Sequence, residues 1–119
     1  MNQDLVRYEL HRVWVVEATL KKDKRHIYAK RVFYVDEDSW QVAHTDAYDG
    51  RGELWRVHEI GGIQYYDAVT HYFANEVFYD LQARRYLLSG ISNQEKQVKF
   101  GVKLDPSNFT PDTLRRSSN

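Results

Sequence analysis

At 119 residues the chain has the length of one domain, enough to build a single core with little left for a second module. Seventeen Lys and Arg balance seventeen Asp and Glu, so no global field gathers an anionic membrane or nucleic acid, and nucleic acid is not an expected partner. The lack of cysteine excludes disulfides, thiolate chemistry, Cys-based zinc sites and cysteine lipidation, and no apolar window of about 18 residues offers a membrane-spanning helix.

Met1-Asn2-Gln3-Asp4-Leu5 lacks the basic start and apolar run of an export signal, so no signal peptide is read in this chain. Nine Tyr, five Phe and three Trp against only two Pro argue for a mainly β body. Strands are expected near residues 8–20, 27–36, 40–48, 54–60, 63–68, 73–80 and 86–91. The first two flank Lys21-Lys22-Asp23-Lys24-Arg25 and form a long antiparallel hairpin. Asp36-Glu37-Asp38-Ser39, Asp49-Gly50-Arg51-Gly52, Gly61-Gly62 and Leu81-Gln82-Ala83-Arg84 suit turns, because Asp bonds its own backbone and Gly accepts positive φ. Links this short imply an antiparallel meander. After Gly101 the chain turns loop-like, and Thr110 caps a short C-terminal helix with Pro111 at its first position and Leu114 facing inward. Residues 115–119 are expected to fray.

Periodicity shows strands loaded on two faces. In the first, Tyr8, Leu10, Trp14, Val16, Ala18 and Leu20 share a face interrupted by Arg12, yet Val13 and Val15 load the other. In the second, Ile27, Ala29, Phe33 and Val35 oppose Tyr28, Val32 and Tyr34. A sheet with one solvated face alternates more cleanly, so the second face asks for cover: further residues of a longer protein, a second copy of the chain, or an apolar ligand. β propensity on a wet face accounts for the same pattern.

Motifs for chemistry fail one by one. Among His11, His26, His44, His58 and His71 no pair has zinc-binding spacing; His44 and Asp46 share a strand face, which polar residues beside a turn also explain. Aligning Gly50 with the invariant glycine of a calcium loop puts Ala47 in a ligand slot and Arg56 where the closing acid belongs. The serines have no nucleophile elbow, the acids of 36–38 read as a solvated turn, and Gly50-Arg51-Gly52 and Gly61-Gly62 lie between strands rather than before a helix. No catalytic residue, metal or cofactor is expected. Arg12, Arg31 and Arg56 each interrupt an apolar run, and on a concave sheet they would hold the head of an anionic amphiphile while aromatics take its tail. Their stems would equally lie along the sheet, with the guanidinium groups in water or paired with Glu9, Glu17 or Glu59. Trp14, Phe33, Tyr34, Trp40, Trp55 and Phe78 divide in the same way between ligand contact and core filling. The candidate ligand-binding set is Arg12, Trp14, Arg31, Phe33, Trp55 and Arg56.

The stretches 8–20 and 24–40, Tyr48-Asp49-Gly50-Arg51-Gly52-Glu53-Leu54-Trp55-Arg56, Val77-Phe78-Tyr79-Asp80-Leu81-Gln82-Ala83 with Arg85-Tyr86, and Phe109-Thr110-Pro111-Asp112-Thr113-Leu114-Arg115-Arg116 carry a family resemblance. Together they resemble the C-terminal part of a bacterial envelope family of unknown function whose members are often labelled outer membrane lipoprotein-sorting proteins. The resemblance implies a lipoprotein-localisation (LolA/LolB-like) fold, a curved antiparallel half-barrel with an apolar concave face. It also implies a place in the periplasm or at the outer membrane and a lipid or other hydrophobic ligand as partner. It carries no catalytic motif, so a non-enzymatic protein is expected. Residues 1–119 then form a single domain, the C-terminal fragment of a longer LolA-like protein whose N-terminal half would supply further strands. The leading function is binding or shielding of a lipid or acyl chain. The alternative is a protein–protein interaction module that pairs, with itself or another chain, through a sheet edge or apolar face. Single-stranded nucleic-acid binding by aromatic platforms beside Lys21 to Arg31 is opposed by the neutral net charge.

Overall fold

The computed structural model describes residues 2–96 and 98–117. Six strands, β1 (Val13–Thr19), β2 (Lys30–Asp36), β3 (Val42–Tyr48), β4 (Leu54–Tyr65), β5 (Thr70–Asp80) and β6 (Arg85–Ser89), form one sheet in the order β1-β2-β3-β4-β5-β6. Every neighbouring pair is antiparallel. The expected mainly β meander is the architecture found: an open sheet followed by one short helix, α1 (Pro111–Ser117). Short links dictate this order from β2 onward, because a four- or five-residue reversal can only return a strand beside its predecessor, while β1 reaches β2 through the ten residues 20–29.

Three aspartates fix three of the reversals. The Asp36 carboxylate accepts from the Ser39 backbone N–H at 2.8 Å and the Ser39 hydroxyl at 2.6 Å, closing the β2–β3 turn. Asp49 accepts from the N–H groups of Arg51 and Glu53 at the β3–β4 turn, where Gly52 takes the positive φ of 83° that Gly adopts freely. Asp80 accepts from Ala83 N–H at the β5–β6 turn. Trp40 (φ 58°), Val69 (φ 48°) and Arg84 (φ 51°) each close a hairpin in the left-handed region.

Several expectations need correction. Gly61-Gly62 is no turn: the expected strands 54–60 and 63–68 are one twelve-residue strand, β4, and the glycines mark a register shift against β5. Two residues without Cβ absorb such a bulge, and a Cβ on Gly62 would meet the His71 ring. The reversal lies at residues 66–69 instead. β1 begins at Val13 rather than residue 8, because its partner β2 ends at Asp36, opposite Val13. β3 starts after Trp40, whose positive φ belongs to the turn. α1 is capped by Thr110, whose hydroxyl accepts from Thr113 N–H at 3.3 Å. Leu114 does not face inward: it is 70% exposed, because α1 packs against the preceding 3-10 turn at Pro106–Phe109 and against no strand. Residues 115–117 are helical, and the expected fraying at 118–119 falls outside the described residues.

Among the described residues only Val32, Ala47 and Val77 are buried apolar side chains. All seven residues of β1 are exposed. Core filling is therefore not the role of Trp14, which is 54% exposed, nor of Trp40, 72% exposed, since one sheet layer with a peripheral helix gives them nothing to pack under. The described residues among 91–104 have no regular structure, and the Phe100 ring returns to within 4.9 Å of Tyr65.

Candidate functional site: a hollow with paired arginine and apolar rows

Antiparallel register lines side chains up across the sheet, and two adjacent rows on one face define the candidate site. The first row runs Ala18, Arg31, Ala47, Arg56, Asp80, Arg85 from β1 to β6. Two residues along each strand, the second runs Val16, Phe33, Thr45, His58, Phe78, Leu87. A period of two puts both rows on the same side, so a cationic strip lies beside an apolar and aromatic one. The face is hollowed over β2 to β6 by a cavity of about 560 Å³, to which Tyr28, Arg31, Phe33, Thr45, Ala47, Arg56, His58, Phe78, Asp80, Arg85 and Leu87 all contribute.

Polar groups at the cationic end are organised around Asp80 and Tyr28. The Asp80 carboxylate accepts from Trp55 Nε1 at 3.1 Å and Arg56 Nε at 3.2 Å, with Arg85 at 3.8 Å. Together with the Ala83 N–H these donors hold its carboxyl below the usual range, the backbone bond contributing most. The shift in register between Ala47 and Tyr48 explains how consecutive residues Trp55 and Arg56 both reach Asp80: Ala47 pairs with Arg56 and Tyr48 with Leu54, leaving Trp55 bulged. Arg56 also donates to the Tyr28 hydroxyl at 2.8 Å, a bond that pushes its already high pKa further up, and its guanidinium lies 4.5 Å from the Trp55 ring. Arg31 stands 4.9 Å from the Tyr28 ring centroid and 3.3 Å from His26. Among the described residues no carboxylate lies within ion-pair distance of Arg31.

In the apolar row the His58 ring stacks on Phe78 with centroids 4.0 Å apart. Burial pushes the His58 imidazole down from its ordinary 6.5, and Glu76 at 3.6 Å lies beyond hydrogen-bond reach of Nε2. His58 is therefore neutral near pH 7 and acts as a flat, largely apolar wall.

Arg31, Phe33 and Arg56 meet in this hollow, and Trp55 flanks it through Arg56 and Asp80. Arg12 lies elsewhere, ahead of β1, bound to Glu37 by two 2.6 Å bonds. Trp14 sits on the exposed edge strand opposite Val35. The arginines do not take the carboxylate partners expected of them: Glu37 and Asp80 replace Glu9, Glu17 and Glu59. Tyr28, His58, Asp80 and Arg85 are walls that reading the chain strand by strand passes over. For His58, Asp80 and Arg85 the signal is the spacing of two that recurs as Arg31/Phe33, Arg56/His58, Phe78/Asp80 and Arg85/Leu87; Tyr28 lies outside both rows.

Two other polar groups have structural explanations. Tyr34 donates to Asp46 at 3.0 Å and His44 lies 3.0 Å from the same carboxylate, on the opposite face of the sheet. The bond to Asp46 pushes the Tyr34 hydroxyl up, away from any role as a base. His11, Asp36 and Asp38 bring ligand atoms within 4.8 Å of one another, but both Asp36 oxygens are already bound, by His11 at 2.9 Å and by Ser39.

The curated relative most usefully compared, an uncharacterized protein of Pseudomonas aeruginosa (PA3922), is 56% identical over 117 residues. These make up 98% of this chain and 26% of that protein, so the chain spans about a quarter of the relative's length. Two crystal structures share the fold. One, described as an outer membrane lipoprotein-sorting protein domain from Vibrio parahaemolyticus, aligns with a TM-score of 0.61 at 22% identity over 87% of this chain and 42% of its own. The other, a DUF1329 family protein from Desulfovibrio piger, aligns with a TM-score of 0.57 at 17% identity over 86% of this chain and 40% of its own. The profile of the family described as "Protein of unknown function (DUF1329)" matches residues 1–115, and the chain belongs to that family.

Proposed function

We propose that this chain is part of a non-enzymatic envelope protein, in the periplasm or at the outer membrane, that binds or shields a lipid or acyl chain against its hollowed sheet face. The observation that carries the reading is the row Phe33, Thr45, His58, Phe78 and Leu87 lying in a hollow of about 560 Å³. That volume falls within the roughly 300–1,000 Å³ of small-molecule sites, which are apolar with a few fixed polar groups. The likeness to the lipoprotein-sorting domain from Vibrio supports the same reading. In the hollow the Tyr28 hydroxyl accepts from Arg56 and the Asp80 carboxylate is held by Trp55 and Arg56, which supports a binding role over a catalytic one. Native mass spectrometry of freshly purified protein without detergent, followed by organic extraction, tests it. A reproducible lipid or acyl adduct on the monomer is expected; a monomer that stays bare after incubation with acyl amphiphiles would sink the proposal.

A second reading, an interaction module, is favoured by one observation: β1 is a sheet edge exposed along its whole length, with Trp14 and Val16 on one face and Val13 and Val15 on the other. Unpaired edges of this kind accept another strand.

A further inference from the structure

Strand β3 presents small side chains to the hollow, Ala47 and then Thr45, while its neighbours present large ones. Arg31 and Arg56 stand on either side of Ala47, and Phe33 and His58 on either side of Thr45. Because each wall is one strand away from β3, the two walls are about 9.6 Å apart at the backbone. The result is a trough along β3, cationic at the Ala47 level and apolar at the Thr45 level.

Resting on the lipid-binding reading above, we propose that this trough takes a single-chain amphiphile with one negative charge, a fatty-acid carboxylate. Its head sits between Arg31 and Arg56 over Ala47, and its chain runs between Phe33 and His58 over Thr45. Charge complementarity selects this occupant. Arg56 already meets Asp80 at 3.2 Å, whereas among the described residues Arg31 has no carboxylate partner, so the inner trough has one positive charge left to satisfy. Both guanidinium groups lie against Tyr28 and line the same hollow, where a carboxylate between them can accept from the N–H donors those contacts leave. At the other level neither ring carries charge near neutral pH, since burial keeps His58 unprotonated. A cationic or zwitterionic head would instead place an ammonium against Arg31.

Isothermal titration with sodium laurate, dodecanol and dodecyltrimethylammonium, each below its aggregation limit, tests this on the wild type, Arg31→Gln and Arg31→Lys. The expected result is one laurate per chain, weaker dodecanol and no binding of the cation. Arg31→Gln should weaken laurate roughly tenfold to a hundredfold while leaving dodecanol unchanged, and Arg31→Lys should restore most of the difference. If laurate and dodecanol bind alike and Arg31→Gln changes neither, the anionic head site is overturned while the apolar hollow stands. If neither binds, the lipid-binding reading falls with it. Should Arg31→Gln lose its circular dichroism spectrum, the head-group comparison on the wild type and on Arg31→Lys still decides.

Discussion

Asp36, Asp49 and Asp80 each accept N–H groups that a tight reversal leaves without partners. Asp49 has the largest set: Gln82 Nε2 at 3.0 Å, two backbone N–H groups and the Arg51 side chain. These bonds, that from Gln82 first, hold its carboxyl far below its ordinary 3.8. A carboxyl depressed in the folded state binds fewer protons folded than unfolded, so its contribution is complete above about pH 4 and is lost as the pH falls from there through the folded value. Urea midpoints measured from pH 6 to pH 2 should therefore fall below pH 4. Asp49→Ala should start from a lower midpoint and show a flatter acid decline; an unchanged slope would remove Asp49 from the account. Val77, only 2% exposed, is the other residue on which stability turns. Val77→Ala deletes two methyl groups from the tightest site, and equilibrium urea unfolding should register a loss of roughly 2 kcal/mol.

At the scale of the strand, β1 and β4 behave oppositely. β1 is an edge with apolar residues on two sides, and Val15, 63% exposed, can take a charge without disturbing a core. Val15→Lys should change stability by less than about 0.5 kcal/mol while reducing any concentration-dependent association seen by sedimentation velocity. Association that persists undiminished would place the contact on another surface. β4 is the strand least legible from sequence. Gly61-Gly62 has the composition of a hairpin turn, and local chemistry alone cannot distinguish two glycines that reverse a strand from two that bulge it. What decides is the partner: β5 is long enough to pair along both halves, from Asp80 opposite Arg56 to Thr70 opposite Tyr65. By contrast the Asp36, Asp49 and Leu81 reversals are readable because the aspartate closes its own loop within four residues. Leu114 misleads for a related reason, since an apolar residue on a short helix points inward only where another layer exists to receive it.

For the whole molecule, the sheet is one layer with three buried apolar side chains among the described residues, and its stability should be uneven. Hydrogen exchange should be slowest in β4 and β5, the two longest strands and each other's partners over ten residue pairs, and fastest in β1, β6 and residues 91–96 and 98–104. Equal protection in β1 and β4 would mean that the edge is covered in solution. The candidate site was half legible for the same reason that this pattern exists. Arginines breaking apolar runs drew attention to Arg31 and Arg56, but only register shows that they flank Ala47 in one row, while Arg12 lies off the sheet.

The strand order has a kinetic consequence. Since each strand pairs only with its neighbours in sequence, no long loop has to close before a contact is rewarded, and the entropy of closure is met one short reversal at a time. Such a chain can assemble progressively from the N-terminal side as it leaves the ribosome, each hairpin templating the next. The same order lets β6 peel away without undoing any other pairing, so the wall formed by Arg85 and Leu87 can open and close while the rest of the sheet stays in register.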